Sequence, residues 1–230
     1  LYSIFEVIEI VGKQTKLKNN MYNISYFKEE KKEVILDFME ENPFIFLTGR
    51  DISGNQVVTQ IPVLIEDRNG ELFLQGHIMR HTDHHKAFIQ NRNVLAVFTG
   101  ASAYVSASWY NNTQNGSTWN YMSVYVYGKI NFMTDDKLRQ FMQKMTLKFE
   151  QGDTTSPTIY DNLPQEYIDK MMPAIVGFEI KAEKIENVFK LSQNKDKESY
   201  ERIISKLNEK GGNSSLIASE MEKRKKQLFF

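Results

Sequence analysis

Gln56-Val-Val-Thr-Gln-Ile-Pro-Val-Leu-Ile65, the pair Asn69-Gly70, and Glu71-Leu-Phe-Leu-Gln75 make up the stretch that decides the fold. Asn-Gly between two apolar runs signals a hairpin, because both residues accept the positive φ of a tight two-residue turn. Pro62 inside the first run marks an edge, a bulge or a place where a ligand meets backbone, since proline has no N–H for a ladder. Working outward, Phe44-Ile-Phe-Leu-Thr48 reads as the strand before this hairpin, closed by Gly49 and the Asp51-Ile-Ser-Gly-Asn55 turn. Val94 to Thr99 and Ala103 to Ser106 read as two further strands. From Tyr121 to Phe132 the chain alternates: Tyr121, Ser123, Tyr125 and Tyr127 share one face, Met122, Val124 and Val126 the other. Ala174 to Leu191 holds at least one more strand, Ile175-Val-Gly-Phe-Glu-Ile180.

Helices interrupt this series. Lys28 to Glu41 is amphipathic, with Val34, Ile35 and Phe38 on its apolar side, and Asn42-Pro43 stops it. Thr82 caps a helix to about Gln90, and Thr134 caps another from Asp135 to Gln151. Leu138, Phe141, Met142, Met145 and Phe149 form one stripe of the latter, which reads as core or subunit contact rather than as a cofactor box. Residues 153–164 read as a loop. Glu198 to Lys210 is a helix, Gly211-Gly212 breaks it, and a last helix starts near Ser214-Ser215. Six or seven short strands with a few helices predict a mainly β fold with α additions, a closed or partly open barrel.

With 230 residues, 41% hydrophobic and 25% charged, the composition is that of a soluble globular protein. Met21-Tyr22-Asn23 looks like a natural beginning, so residues 1–20 read as an extension and 21–230 as one domain with C-terminal helices. A formal net charge of zero argues against a strong non-specific hold on nucleic acid. The absence of cysteine excludes disulfides, zinc–thiolate sites and thiol catalysis. No apolar run approaches the roughly 20 residues needed to span a bilayer. The expected location is the cytoplasm, with no membrane partner.

All four histidines and both tryptophans lie between Gly76 and Tyr121. A strand passing through Gly76-His77 into a helix at Thr82 offers free backbone N–H groups and a helix dipole to an anion. His77, Arg80 and Lys86 would add donors suited to a phosphate, while Asp83 opposes one. The bland alternative is a solvated helix start. His77/His81 and His81/His85 are four apart, as metal-binding pairs can be, but no Glu stands in an HExxH arrangement. Tyr104-Val-Ser-Ala-Ser-Trp-Tyr110 and Thr118-Trp-Asn-Tyr121 suit a ligand pocket, a subunit seam or plain packing. No Gly-x-Ser-x-Gly elbow, Walker loop or Gly-x-Gly-x-x-Gly appears. Lys223-Arg224-Lys225-Lys226 is the strongest basic run, either a solvated terminus or a contact with phosphate backbone.

Six motifs in order resemble the PaiB-type FMN-binding negative transcriptional regulators. They are Met21-Tyr22 with Phe27, Gly76-His77-Ile78-Met79-Arg80, Ala103-Tyr-Val-Ser-Ala-Ser-Trp-Tyr110, Thr118-Trp-Asn-Tyr121, Ile175-Val-Gly-Phe-Glu-Ile180 and Phe189-Lys-Leu-Ser-Gln-Asn194. The family is similar to the FMN-binding split barrels that include pyridoxamine phosphate oxidases, homodimers with flavin at the subunit interface. The resemblance implies FMN as cofactor, its phosphate near Gly76, His77, Arg80 and Lys86. It places the ring along strand 58–62, against Thr59, Gln60 and Ile61, with Gln75, Trp109, Trp119 and Asn120 completing the cofactor set. No catalytic residue and no metal ligand is implied. The chain departs from the family pattern at Gln60, at Gly100-Ala101-Ser102 and at Thr82-Asp83-His84-His85. Three functions follow: a dimeric FMN-binding regulator with DNA as a further partner, a flavin-dependent oxidoreductase of the pyridoxamine phosphate oxidase-like type, or a cofactor-free dimeric interaction module.

Overall fold

In the computed structural model, residues 24–112 and 114–229 are described; the expectations for residues 1–20 and for Met21-Tyr22 lie outside them. Seven strands form one sheet in the order β2-β1-β5-β6-β7-β4-β3, so β2 and β3 are its edges and hydrogen bonds do not close it. The strands are β1 (Phe44–Arg50), β2 (Gln56–Pro62), β3 (Leu64–Arg68), β4 (Glu71–Met79), β5 (Asn93–Val105), β6 (Thr118–Phe132) and β7 (Ile175–Lys190). The helices are α1 (Lys32–Glu41), α2 (Asp83–Gln90), α3 (Asp135–Phe149), α4 (Gln165–Met171), α5 (Lys197–Lys210) and α6 (Asn213–Phe229). The chain divides into two compact units, and β5, β6 and β7 each give one stretch to each unit.

The first unit holds residues 36–98 and 125–185. Its β1–β2 hairpin pairs antiparallel from Phe44↔Pro62 to Arg50↔Gln56. The Asp51 carboxylate closes that turn by accepting from the N–H groups of Ser53 and Asn55 at 2.8 and 2.9 Å. The expected single run 56–65 is two strands. Pro62 ends edge strand β2, Val63 N–H turns to the Pro43 carbonyl at 2.9 Å, and Leu64 onward pairs with β4 instead. Asn69 and Gly70 take φ values of 55° and 89°, the left-handed pair that the hairpin signal requires.

Strand β4 alternates, burying Leu72, Leu74, Gly76 and Ile78. It continues to Met79, beyond the expected end at Gln75, so Gly76 and His77 pair with Phe178 and Gly177 of β7. Gly76 is glycine for packing, because a Cβ there would lie 2.5 Å from Cζ of the Phe178 ring. Helix α3 buries Leu138, Phe141, Met142 and Met145 against Leu64, Tyr160, Ile168, Met172 and Ile175. The stripe is core, except that Phe149 in the last turn is exposed. Helix α4 falls just after the expected loop and buries only Ile168 from its seven residues, too little for a period to show. The two strands expected at 94–99 and 103–106 are one, β5. Gly100-Ala101-Ser102 lacks large apolar side chains, so the alternation fades there while the backbone stays extended.

The second unit holds residues 24–35, 99–124 and 186–229. Asp196 caps α5 by accepting from Ser199 N–H at 2.9 Å, and Gly211 and Gly212, at φ 69° and 55°, turn the chain into α6. Tyr200 joins the two helices: its ring is fully buried and its hydroxyl donates to the Met221 carbonyl at 2.9 Å. Burial pushes that phenol far above its ordinary pKa.

Candidate functional site

The segment from β4 to α2 spends most of its polar groups on itself. Thr82 caps α2, its hydroxyl accepting from His85 N–H at 3.4 Å and donating to the Met79 carbonyl at 3.0 Å. Asp83 accepts from His84 N–H at 2.7 Å and meets His84 Nδ1 at 3.0 Å. His84 Nε2 faces the Thr82 hydroxyl at 3.0 Å, and His81 N–H, at a positive φ of 66°, donates to His85 Nδ1 at 3.0 Å. Free backbone N–H groups at this helix start were expected; the caps use two of them. Burial, then the charge of Arg80, holds His85 below its ordinary pKa, consistent with Nδ1 serving as an acceptor.

Arg80 is fixed rather than free. Its Nε donates to the Ile175 carbonyl at 2.8 Å and its Nη2 meets Asp135, in the first turn of α3, at 3.3 Å. Nη1 keeps no partner among the described residues. His77 packs its ring 6.0 Å from that of Phe141; burial lowers its pKa, and its buried Nδ1 has no partner. Lys86 stands exposed on α2. An oriented guanidinium, an ammonium and an unpartnered imidazole nitrogen are chemically the donors a phosphate monoester needs, so these residues fit that group.

The other cofactor positions divide. On edge strand β2, Gln60 is exposed, Thr59 half-buried and Ile61 in the core. Gln75 faces away from the β4 core and donates to Glu179 at 3.0 Å. All eight positions from Thr59 to Lys86 belong to the first unit, whereas Trp109, Trp119 and Asn120 belong to the second. Trp119 is 55% exposed and meets Tyr104 edge-on at 6.0 Å. Lys210 of α5 stands 4.5 Å over the Trp109 ring and 5.8 Å over Tyr104, a placing that sequence reading missed because a hundred residues separate them. Asn120 is a correction: with no exposed surface, its amide accepts from Ser192 at 3.0 Å and reaches Met221 Sδ at 3.4 Å. It ties the unit together instead of facing a ligand.

The basic run of α6 is largely neutralised within the chain. Arg224 pairs with Glu220 at 2.6 Å, Lys225 with Glu201 at 2.9 Å, and Lys223 also with Glu220. No helix of the described residues is long and apolar enough to cross a membrane.

Comparison with known proteins fixes the class. Among solved structures, the FAD and heme binding protein from Mycobacterium smegmatis aligns with a TM-score of 0.53 at 17% identity, covering 70% of this chain and 72% of that one. The flavocytochrome Anf3 from Azotobacter vinelandii aligns with a TM-score of 0.52 at 14% identity, covering 71% and 69%. The fold is the split barrel, mainly β with helical additions. A family model described as "Putative FMN-binding domain" matches residues 21–184, and the chain belongs to that family, a flavin-binding one. At the level of whole chains, protease synthase and sporulation protein PAI 2 of Bacillus subtilis is 33% identical over 210 residues, 90% of this chain and 100% of that protein.

Proposed function

We propose that this protein binds FMN and works as a dimeric, cytoplasmic regulator or accessory factor. One observation carries the reading: the family match over residues 21–184 contains every position assigned to the cofactor, from Thr59 to Trp119. In this reading His77, Arg80 and Lys86 hold the phosphate, Arg80 being held in place by Ile175 and Asp135. Thr59, Gln60 and Ile61 offer the edge of β2 to the ring, and Trp109 and Trp119 of a second copy shield it. Bound flavin supplies reversible electron transfer; the chain's own part is to bind, orient and exclude water. Exposed Phe44, Phe46 and Val58, neighbours on the outward face of β1–β2, support an apolar seam to that second copy.

The B. subtilis relative's name supports a regulatory role. With net charge zero and three of the four basic residues of the α6 run paired within the chain, a hold on DNA would rest mainly on surfaces other than that helix. The absorbance spectrum tests the cofactor: a flavin band as purified, or after adding FMN, is expected, and its absence in both cases removes the reading. Arg80→Ala should weaken FMN roughly 10–100-fold, as for loss of a charge-assisted hydrogen bond, and riboflavin much less. Equal FMN binding by the variant overturns the phosphate assignment. Band shifts over a salt series test regulation; binding to any sequence that vanishes at moderate salt counts against it.

A further inference from the structure

The first unit contains a cleft of about 340 Å³ between the outward side of β3, β4 and β7, the end of β6 and helix α3. Its sheet wall is built around one cation. Arg68 stacks 4.3 Å above the Phe73 ring, and its Nη2 donates to Glu66 at 2.5 Å and to Glu179 at 2.6 Å. One guanidinium between two carboxylates leaves this wall with a net negative charge. The hydrogen bond from Arg68 is the main reason Glu66 stays below its ordinary pKa, with Lys144 adding to it. Burial would raise Glu179, but the bonds from Arg68 and Gln75 and the charges of Arg68 and Lys137 outweigh it. Both glutamates are therefore ionised at neutral pH.

The helix wall has the opposite sign. Lys137, Gln140, Phe141 and Lys144 of α3 line the cleft, the i, i+3, i+4, i+7 face of a helix. Each lysine is felt by one glutamate across the gap, yet among the described residues neither lysine closes an ion pair with Glu66 or Glu179. The two walls thus hold opposite charges apart, with room between them; half-buried Phe132 also lines the cleft, whereas Phe141 belongs to the core behind α3's inner face. A simple anion would meet two carboxylates, and a simple cation would meet three basic groups. Only a molecule carrying both signs satisfies both walls, and the volume suits a small metabolite.

We propose that this cleft binds a free α-amino acid, its carboxylate between Lys137 and Lys144, its ammonium against Glu66 and Glu179, and its side chain toward Phe132. Arg68 is a positioning residue: it sets the two carboxylates and leaves their second oxygens for the ligand. The site does not depend on the flavin reading, since of the cofactor set only Gln75 lines it. Calorimetric titration of the full chain with L-leucine, L-methionine and L-phenylalanine tests the idea. The controls, 4-methylpentanoate and 3-methylbutylamine, carry one charge each. At least one amino acid should bind saturably, and each control at least tenfold more weakly. Lys137→Gln with Lys144→Gln, exposed positions whose change leaves the fold intact by circular dichroism, should lose binding about 10–100-fold. Arg80→Ala should bind the amino acid as the parent does, which separates this site from the flavin phosphate. Three outcomes overturn the proposal: no saturable binding by any of the three, a single-charge control binding as tightly, or a double lysine variant that binds unchanged.

Discussion

Two regions of the same histidine- and tryptophan-rich stretch solve opposite problems. From Gly76 to Lys86 the side chains are polar, and the fold uses most of them on neighbouring backbone and on one another. From Tyr104 to Tyr121 five aromatic rings stand among mainly small and polar residues, and the fold leaves two of them outside: Tyr104 is 43% exposed, with Lys210 over its ring, and Trp119 is 55% exposed. The polar region is self-contained, so its few open donors are conspicuous. The aromatic region leaves two ring faces in solvent, the kind of surface a seam or a flat ligand would use. Exposure and bonding, and not residue type, tell which groups are available to a ligand.

The largest effect that would test the rigid side of this contrast is at Gly76. Gly76→Ala sets a methyl 2.5 Å from a fully buried Phe178 ring in the middle of the β4–β7 ladder. Overpacking of this kind costs about 1–3 kcal/mol, so the denaturation midpoint should fall clearly with an unchanged m-value. A midpoint equal to the parent's would mean that Phe178 moves aside freely and that this strand is softer than described. Next comes Asn120→Leu, which removes an amide tied to Ser192 and Met221. Leaving the Ser192 hydroxyl buried without its acceptor should cost about 1–3 kcal/mol. An unaffected midpoint would return Asn120 to the list of ligand contacts.

These two residues also show how far the sequence was legible. The hairpin at Asn69-Gly70, the caps Thr82 and Thr134 and the α3 stripe were read correctly, because a turn, a cap and a helical face are written within a few neighbouring residues. Gly76 was noticed as part of a motif, but its partner Phe178 lies in another strand, so its reason was hidden. Asn120 sits beside exposed Trp119 in one motif, and only the pleat of β6 sends it inward. Arg68 and Glu66, two apart in a strand, share a face by period alone, yet nothing local announces Glu179 or the lysines of α3. Local chemistry was visible; pairings across the sheet were not.

Acid should act on the polar region through His77. Burial depresses its folded-state pKa below the unfolded value, so under acid the unfolded chain binds more protons. Stability is then full above the unfolded pKa and declines as pH falls below it, toward the folded pKa. One proton contributes at most about 1.4 kcal/mol per pH unit in that window. Urea midpoints taken from pH 7 down to 5 should fall less in His77→Gln than in the parent. Equal slopes would mean that Nδ1 already finds a partner.

The smallest effect on folding belongs to the aromatic region, and it is the most informative. Trp119 lies one residue from Asn120 on β6, but on the opposite face of the pleat and largely outside. Trp119→Ala should therefore shift monomer stability by no more than about 0.5 kcal/mol, the usual range for a surface site. If the exposed ring is a seam with a second copy, the same change should weaken self-association by a factor on the order of 10 or more, since large aromatic side chains dominate such contacts. Sedimentation over a dilution series, set beside the urea midpoint, reads both quantities on one sample. Lost association at constant stability makes Trp119 a partner-facing residue next to a structural one. Unchanged association assigns that exposed face to the flavin or to solvent, and moves the subunit seam to Phe44, Phe46 and Val58.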